Sequence, residues 1–254
     1  MEYLSVTQAR ELTGLRLVLT VGVPGPWSES AKKILEYKGL EYAPVAQHLN
    51  QENRELLAWV GVRNAPVLVC DNEAPITSWR DILLFAERRV PNPALLPHDS
   101  RDRELALHLA NDICGEGGFG WSRRLMLISL ARSLAPVDET SARVQQSYGF
   151  AAKAVAEAPA RAAEVLRQLG AQLRRQQDRG FSFLVGEHIS ACDIYWACFS
   201  LMVRPPAHDL APMPEAVRQF YGASDPQIDH ALDDVLIEHR DAIFARYFKL
   251  PLDF

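Results

Sequence analysis

Cysteine is scarce and scattered. Cys70, Cys114, Cys192 and Cys198 are the four in 254 residues, and no two form a C-x-x-C pair. That spacing excludes a zinc knuckle and a disulfide framework, and it suits a reducing, cytoplasmic compartment. The 7 histidines show neither H-x-x-x-H nor H-E-x-x-H, so no metal site is expected. Basic residues are outnumbered, 27 against 32 acidic, for a net charge of −5. This balance argues against nucleic acid and anionic membrane as partners, both of which favour a basic face. No apolar run approaches the roughly 20 residues of a membrane span. The opening segment has no basic region followed by an apolar one, so no signal peptide is expected. The glycine run at 115–120 has no Gly-Lys-Ser/Thr and no preceding strand, which excludes a phosphate loop. Internal repeats and low-complexity tracts are absent.

What remains is an ordinary globular composition, 48% hydrophobic and 23% charged, long enough for one large unit or two modest ones. Residues 1–14 carry no assignable pattern. The β-rich run 15–21 lies between Gly14 and Gly22 and predicts a buried strand. A Gly/Pro loop at 23–30 follows, then a helical pattern over 31–37 closed by Gly39. Residues 40–46 predict a second strand, with Pro44 hinting at an edge position. A helical stretch over 51–60 comes next.

Residues 64–87 are the most informative. Ala65-Pro66 precedes the β-formers Val67, Leu68, Val69 and Cys70; a proline lacks an N–H and so belongs at a strand start or edge. Asp71 and Asn72 supply turn chemistry, and Ile76 begins a short return strand. Ser78, with Asp81 three residues on, predicts a capped helix carrying Ile82, Leu83 and Phe85. The predicted order is β-α-β-α-β-β-α, whose first strand, helix and second strand make a parallel crossover.

Beyond residue 88 the pattern changes. Residues 89–100 are proline-rich and read as a linker between a unit at 15–88 and a helical one at 101–254. Helices are predicted over 101–113 and 121–134, on either side of the glycine run, which reads as a kink or a pocket wall, and over 148–178. At 183–199, Ser190-x-x-Asp193 forms a capping box, bracketed by Ile189 and Ile194 as a hydrophobic staple. Residues 203–227 hold five prolines and suggest a covering excursion. A last helix is predicted over 228–248, with His239 on its apolar face as a satisfied core histidine, and Pro251 stops any continuation.

The strand–turn–helix unit around Ala65-Pro66 and Ser78, together with the capping box Ser190/Asp193 and its flank Phe183-Leu184-Val185-Gly186, resembles the glutathione S-transferase superfamily. The resemblance covers most of the chain. It implies a thioredoxin-like α/β domain followed by an all-α domain, and a homodimer. It further implies glutathione as cosubstrate, with a small apolar electrophile attacked by the activated thiol in a transferase or lyase reaction. The family's usual Ser or Cys position falls on Gly25 and offers no side chain, so Ser28 is the candidate catalytic residue, with Ser30 as a second hydroxyl; a helix-capping role for Ser28 competes. No cysteine lies in this loop, which argues against a mixed-disulfide mechanism. Trp27, Asn64, Ala65, Pro66, Thr77 and Ser78 are the candidate glutathione-binding residues, Thr77 standing where the family usually has Glu or Gln. Arg63 beside Asn64 is more simply a solvated residue. Asn111, Glu116, Phe119, Trp121 and Arg124 are the candidate electrophile pocket. Two rival readings have no turnover. One is a silent binding or interaction protein, favoured by Gly25 and Thr77; the other is a holder of an apolar metabolite under the proline-rich excursion.

Overall fold

A computed structural model describes every residue except Tyr148, the first residue of the predicted 148–178 helix, which therefore lies outside the described residues. The chain opens with a short helix α1 (Val6–Arg10), capped by Ser5 and Gln8 in a reciprocal box. Strand β1 (Leu15–Thr20) leads into α2 (Pro26–Tyr37), followed by β2 (Ala43–Gln47), α3 (Arg54–Val60), β3 (Val67–Cys70) and α4 (Trp79–Arg89). The three strands run in the order β2-β1-β3, with β2 parallel and β3 antiparallel to β1. Pro44 does sit on the edge strand. Leu4 covers that edge, donating to Pro44 O and accepting from Ala46 N.

The predicted return strand is reduced to one bridge. Ile76 and Leu68 exchange both backbone hydrogen bonds, at 2.8 and 2.9 Å, and the ladder ends there. The next residues are committed to starting α4, where Ser78 Oγ accepts from Asp81 N at 3.0 Å. Both faces of β1 are covered, which explains the consecutive apolar residues Leu17, Val18 and Leu19. Val18 packs with Val6, Val45, Leu56 and Val67 on one side. Leu17 and Leu19 join Ile34, Phe85 and the helical half on the other.

The second half contains α5 (Ser100–Cys114), α6 (Phe119–Leu134), α7 (Glu139–Ser147), α8 (Ala152–Asp178), α9 (Ala191–Phe199), α10 (Glu215–Tyr221), α11 (Pro226–Ala231) and α12 (Asp234–Tyr247). Several predictions over this half are corrected. Among the described residues the predicted 148–178 helix begins at Ala152, and the 203–227 excursion carries α10. An extra helix, α7, is preceded by Asp138, whose carboxylate accepts from Thr140 N and Ser141 N. The predicted 228–248 helix is two helices, because Asp233 caps α12 by accepting from Val235 N and takes a bidentate fork from Arg174 at 2.7 and 2.8 Å.

The capping box at α9 forms as expected. Asp193 is fully buried and accepts from Ser190 N and Leu184 N, each at 2.8 Å, so one carboxylate ties the helix start to the preceding turn. His239, in the core, makes a 3.1 Å contact to Ser182 O and stands 3.0 Å from Asp193. The proline-rich connection after α4 is pinned to the core. Lys38 contacts Glu87 and donates to Val90 O and Pro93 O, and Leu95 and Leu96 are buried. The tail is anchored as well: Leu252 is buried and Lys32 reaches Asp253.

Candidate functional site

Helix α2 starts at Pro26, five residues before its apolar pattern becomes legible. Gly25 is the N-cap, so the capping role foreseen for Ser28 is not the one it has. Ser28 lies inside the first turn with its hydroxyl turned to the end of β1. Its Oγ accepts from Thr20 N at 3.3 Å and reaches Thr20 Oγ1 at 3.5 Å. Thr20 Oγ1 in turn donates to Gln47 Oε1 at 2.9 Å. Three polar side chains from β1, α2 and β2 thus meet beside the positive end of a helix. Ser30 is not among them: its hydroxyl donates back to Trp27 O and is buried.

This corner opens into a cavity of about 230 Å³. Gly25, Trp27 and Ser28 line it from α2, Ala65 from the cis Ala65–Pro66 bond, and Arg124 from α6. Trp27 forms the seam between the halves of the molecule. Its indole donates to Cys114 O at 2.9 Å, meets Phe199 edge-on at 4.7 Å, and carries the Arg124 guanidinium 3.8 Å above its ring. Trp121 flanks the same guanidinium at 5.0 Å. Phe199 can approach because residue 120 is glycine: a Cβ there would lie 2.2 Å from the Phe199 ring. Gly120 is therefore the point of a close helix crossing, while residues 115–118 form the turn between α5 and α6 and line no part of this cavity.

The other sequence candidates are placed as follows. Phe119 is in the core, edge-on to Trp196, because its helix position faces α9. Glu116 is exposed on the turn between α5 and α6. Asn111 lines a separate shallow depression with Trp79 and His108. Asn64 and Thr77 are exposed, Pro66 is buried under the sheet edge, and Ser78 stays at the α4 N-terminus outside the cavity lining. Ser78 Oγ also donates to Asp81 Oδ2 at 2.8 Å. Sequence reasoning missed Thr20, Gln47, Gln145, Met202, Phe220 and Tyr221, all of which line the cavity. Only Thr20 had a local signal, near the end of the predicted 15–21 strand before the Gly/Pro loop. A roomier cleft of about 640 Å³ lies along the linker and shares no lining residue with this cavity.

Among the described residues, Arg124 is the one charged side chain lining the cavity. Burial pushes the Tyr221 phenol up, against the pull of nearby Arg124, so it is a proton donor at neutral pH. The thiols of Cys114, Cys192 and Cys198 are raised by burial and are inert, and no His/Cys/Asp/Glu group among the described residues could hold a metal.

Strand β1, helix α2 with its N-terminus at the cavity, and the cis-proline that leads into β3 are joined to an α-helical second half. Residues 21–94 match the family model described as glutathione S-transferase, N-terminal domain. The chain has the glutathione S-transferase fold. A glutathione S-transferase domain-containing protein of Marinobacter aquaeolei superposes with a TM-score of 0.65 at 17% identity, covering 91% of this chain and 98% of that one. A glutathione transferase family member of Pseudomonas fluorescens, solved with two glutathiones bound, gives 0.63 at 16%, covering 95% and 94%. A glutathione S-transferase of Methylobacterium radiotolerans, solved with glutathione sulfonate, gives 0.57 at 20%, covering 95% and 99%. No curated protein matches in sequence. Placed on that fold, the cavity lies between the glutathione S-transferase N-terminal domain and the helical half. No described helix is long and apolar enough to cross a membrane.

Proposed function

We propose that the chain binds reduced glutathione and activates its thiol for attack on a small electrophile, as a transferase or lyase. The observation that carries this reading is the meeting of Ser28, Ala65 and the first turn of α2 in one cavity. A free thiol has a pKa near ~8.5 and is mostly protonated at neutral pH, so the site must favour the thiolate. The α2 N-terminus supplies backbone donors and a positive dipole end. The Ser28 hydroxyl has only a long 3.5 Å contact to give up before it donates to sulfur. Arg124 adds a positive charge on the opposite wall. The thiol proton leaves to water, the sulfur electron pair forms the new C–S bond, and the displaced group carries its own pair away. At α4, the N-terminus capped by Ser78 suits the carboxylate of the γ-glutamyl end, and Asp81 suits its ammonium.

In the same reading the protein is a cytoplasmic homodimer. The four free, buried cysteines agree with a reducing compartment, and light scattering in solution tests the dimer. Calorimetric titration with glutathione, beside a Ser78→Ala variant, tests the binding. Clear heat, weakened by the variant, supports the site. No heat, with an unchanged Tm in millimolar glutathione, would overturn it. One observation favours a binding protein without turnover: the N-cap of α2 is glycine, with no side chain for the sulfur. Binding without conversion of any electrophile in a screen would select that reading.

A further inference from the structure

The helical wall of the cavity is not uniformly apolar. Leu127, Ile128, Ala131, Met202 and Phe220 form an apolar surface, as a greasy electrophile requires. Set into it is Arg124, its guanidinium stacked 3.8 Å over Trp27 and 5.0 Å from Trp121. The two indoles hold the guanidinium at the cavity wall, and its N–H groups form a planar fork suited to a carboxylate. A second observation points to a ligand. Gln145, on α7, is 9% exposed and lines the same cavity, and its Oε1 is buried without a hydrogen-bond partner among the described residues. A buried amide oxygen left unpaired is costly, a loss that a ligand donor at this position would recover. The Tyr221 phenol lines the cavity too. A cation, an amide and a phenol within an apolar wall make a poor site for a plain hydrocarbon electrophile.

We infer that the second ligand is an apolar molecule bearing a carboxylate, with Arg124 binding the acid, Tyr221 donating to it, and Gln145 accepting from a hydroxyl or amide N–H of the same molecule. The apolar body then lies along Leu127, Ile128 and Phe220, and its reactive carbon faces the α2 N-terminus. The inference deepens the glutathione reading, and rests on it only for what stands at the α2 end. The guanidinium–carboxylate pair is a charge-assisted hydrogen bond in a half-enclosed pocket, so replacing the acid by a neutral isostere is a large loss.

The test is calorimetric binding of phenylbutyrate and its neutral isostere phenylbutyramide, with and without saturating glutathione. The acid is expected to bind about 10- to 100-fold more tightly than the amide, the range for one charged hydrogen bond. Arg124→Gln should remove this preference, Arg124→Lys should retain part of it, and Gln145→Leu should leave the acid/amide ratio unchanged. Glutathione should not displace the acid. Equal binding of acid and amide to the native protein overturns the inference, and this comparison needs no variant to fold. Displacement of the acid by glutathione also overturns it, because Arg124 would then serve glutathione itself. Failure of glutathione to bind, with the acid preference intact, would remove the transferase reading and leave the acid site standing.

Discussion

Residue 25 shows how one missing side chain shapes the site. Gly25 has extended backbone, φ −60° and ψ 117°, so it is not a glycine for conformational reasons. A Cβ there would meet Thr20 at 3.7 Å and Ser28 Oγ at 3.9 Å, ordinary contact distances. Gly25→Ser should therefore fold with a stability change within a few tenths of a kcal/mol, since serine and glycine are both accepted N-caps. Under the proposed function it should also raise turnover with glutathione by adding a hydroxyl next to Ser28. A fall in thermal stability of several degrees would show the corner to be tighter than its contacts imply. The complementary change, Ser28→Ala, should lower kcat by about 10-fold or more, the worth of one hydrogen bond to a developing charge, while the glutathione Kd moves less. Equal loss in kcat and Kd, or no loss in either, would exclude Ser28 from thiol activation.

Among the elements, two helix junctions hold the frame of the cavity. At the α9 start, Asp193 satisfies two backbone N–H groups across a nine-residue turn. Asp193→Asn keeps the shape but replaces one acceptor oxygen by a donor. A loss of about 1–3 kcal/mol is expected, read as a lower urea midpoint, because one buried N–H is left facing another donor. An unchanged midpoint would mean that the junction is held by the staple alone. At the α6 start, Gly120→Ala would place a methyl against the fully buried Phe199 ring. Overpacking of this kind costs typically ~1–3 kcal/mol. Since Phe199 lies against Trp27, the same variant should shift Trp27 and weaken ligand binding, which tryptophan fluorescence can follow.

At the scale of the whole molecule, distant parts of the chain are joined by charge pairs, one centred on a buried lysine and one near the surface. Lys32 is fully buried on α2, 2.9 Å from Glu29 and 3.2 Å from Asp253 in the C-terminal tail. Burial pushes the Glu29 carboxyl up and Lys32 opposes this. Lys32→Met leaves Glu29 buried without its cation, and about 3–5 kcal/mol of destabilisation is expected at neutral pH. Without Lys32 the Glu29 carboxyl rises further. A carboxyl raised in the folded state favours folding below its unfolded pKa and loses that contribution as pH rises, so the penalty should shrink on acidification. Urea midpoints at pH near ~7 and ~4.5 check the sign, and adding Glu29→Gln should recover much of the loss. The Arg174–Asp233 link between α8 and α12 behaves in the opposite way. Burial raises the Asp233 carboxyl, but the Arg174 fork and the Val235 N–H outweigh it and hold it low. Its stabilisation is present above the unfolded carboxylate pKa and is lost as pH falls through the folded value. Arg174→Gln should therefore be less stable than the native chain at neutral pH, by under ~1 kcal/mol for so exposed a pair, and equal to it in strong acid.

By itself, the sequence determined the local grammar of this protein. The β-rich run of β1, the Ala65-Pro66 entry to β3, the Ser78 cap and the Ser190/Asp193 box were legible because each is settled by residues within about four positions of one another. Those signals were enough for the glutathione S-transferase fold. The same short-range logic failed where a distant partner decides the outcome. The return strand shrinks to a bridge at Ile76, and the last helix breaks at Asp233 because Arg174, 59 residues away, holds its carboxylate. Gly120 reads as a flexible residue until Phe199 is seen against it. The cavity is the extreme case. Thr20, Ser28, Ala65, Arg124, Gln145 and Tyr221 come from six separate elements or loops, and nothing in their spacing marks them as neighbours. Only tertiary packing brings a helix N-terminus, a stacked guanidinium and an unpaired amide to one wall, because burying the apolar faces of α2, α6 and α9 together fixes where their polar edges must meet.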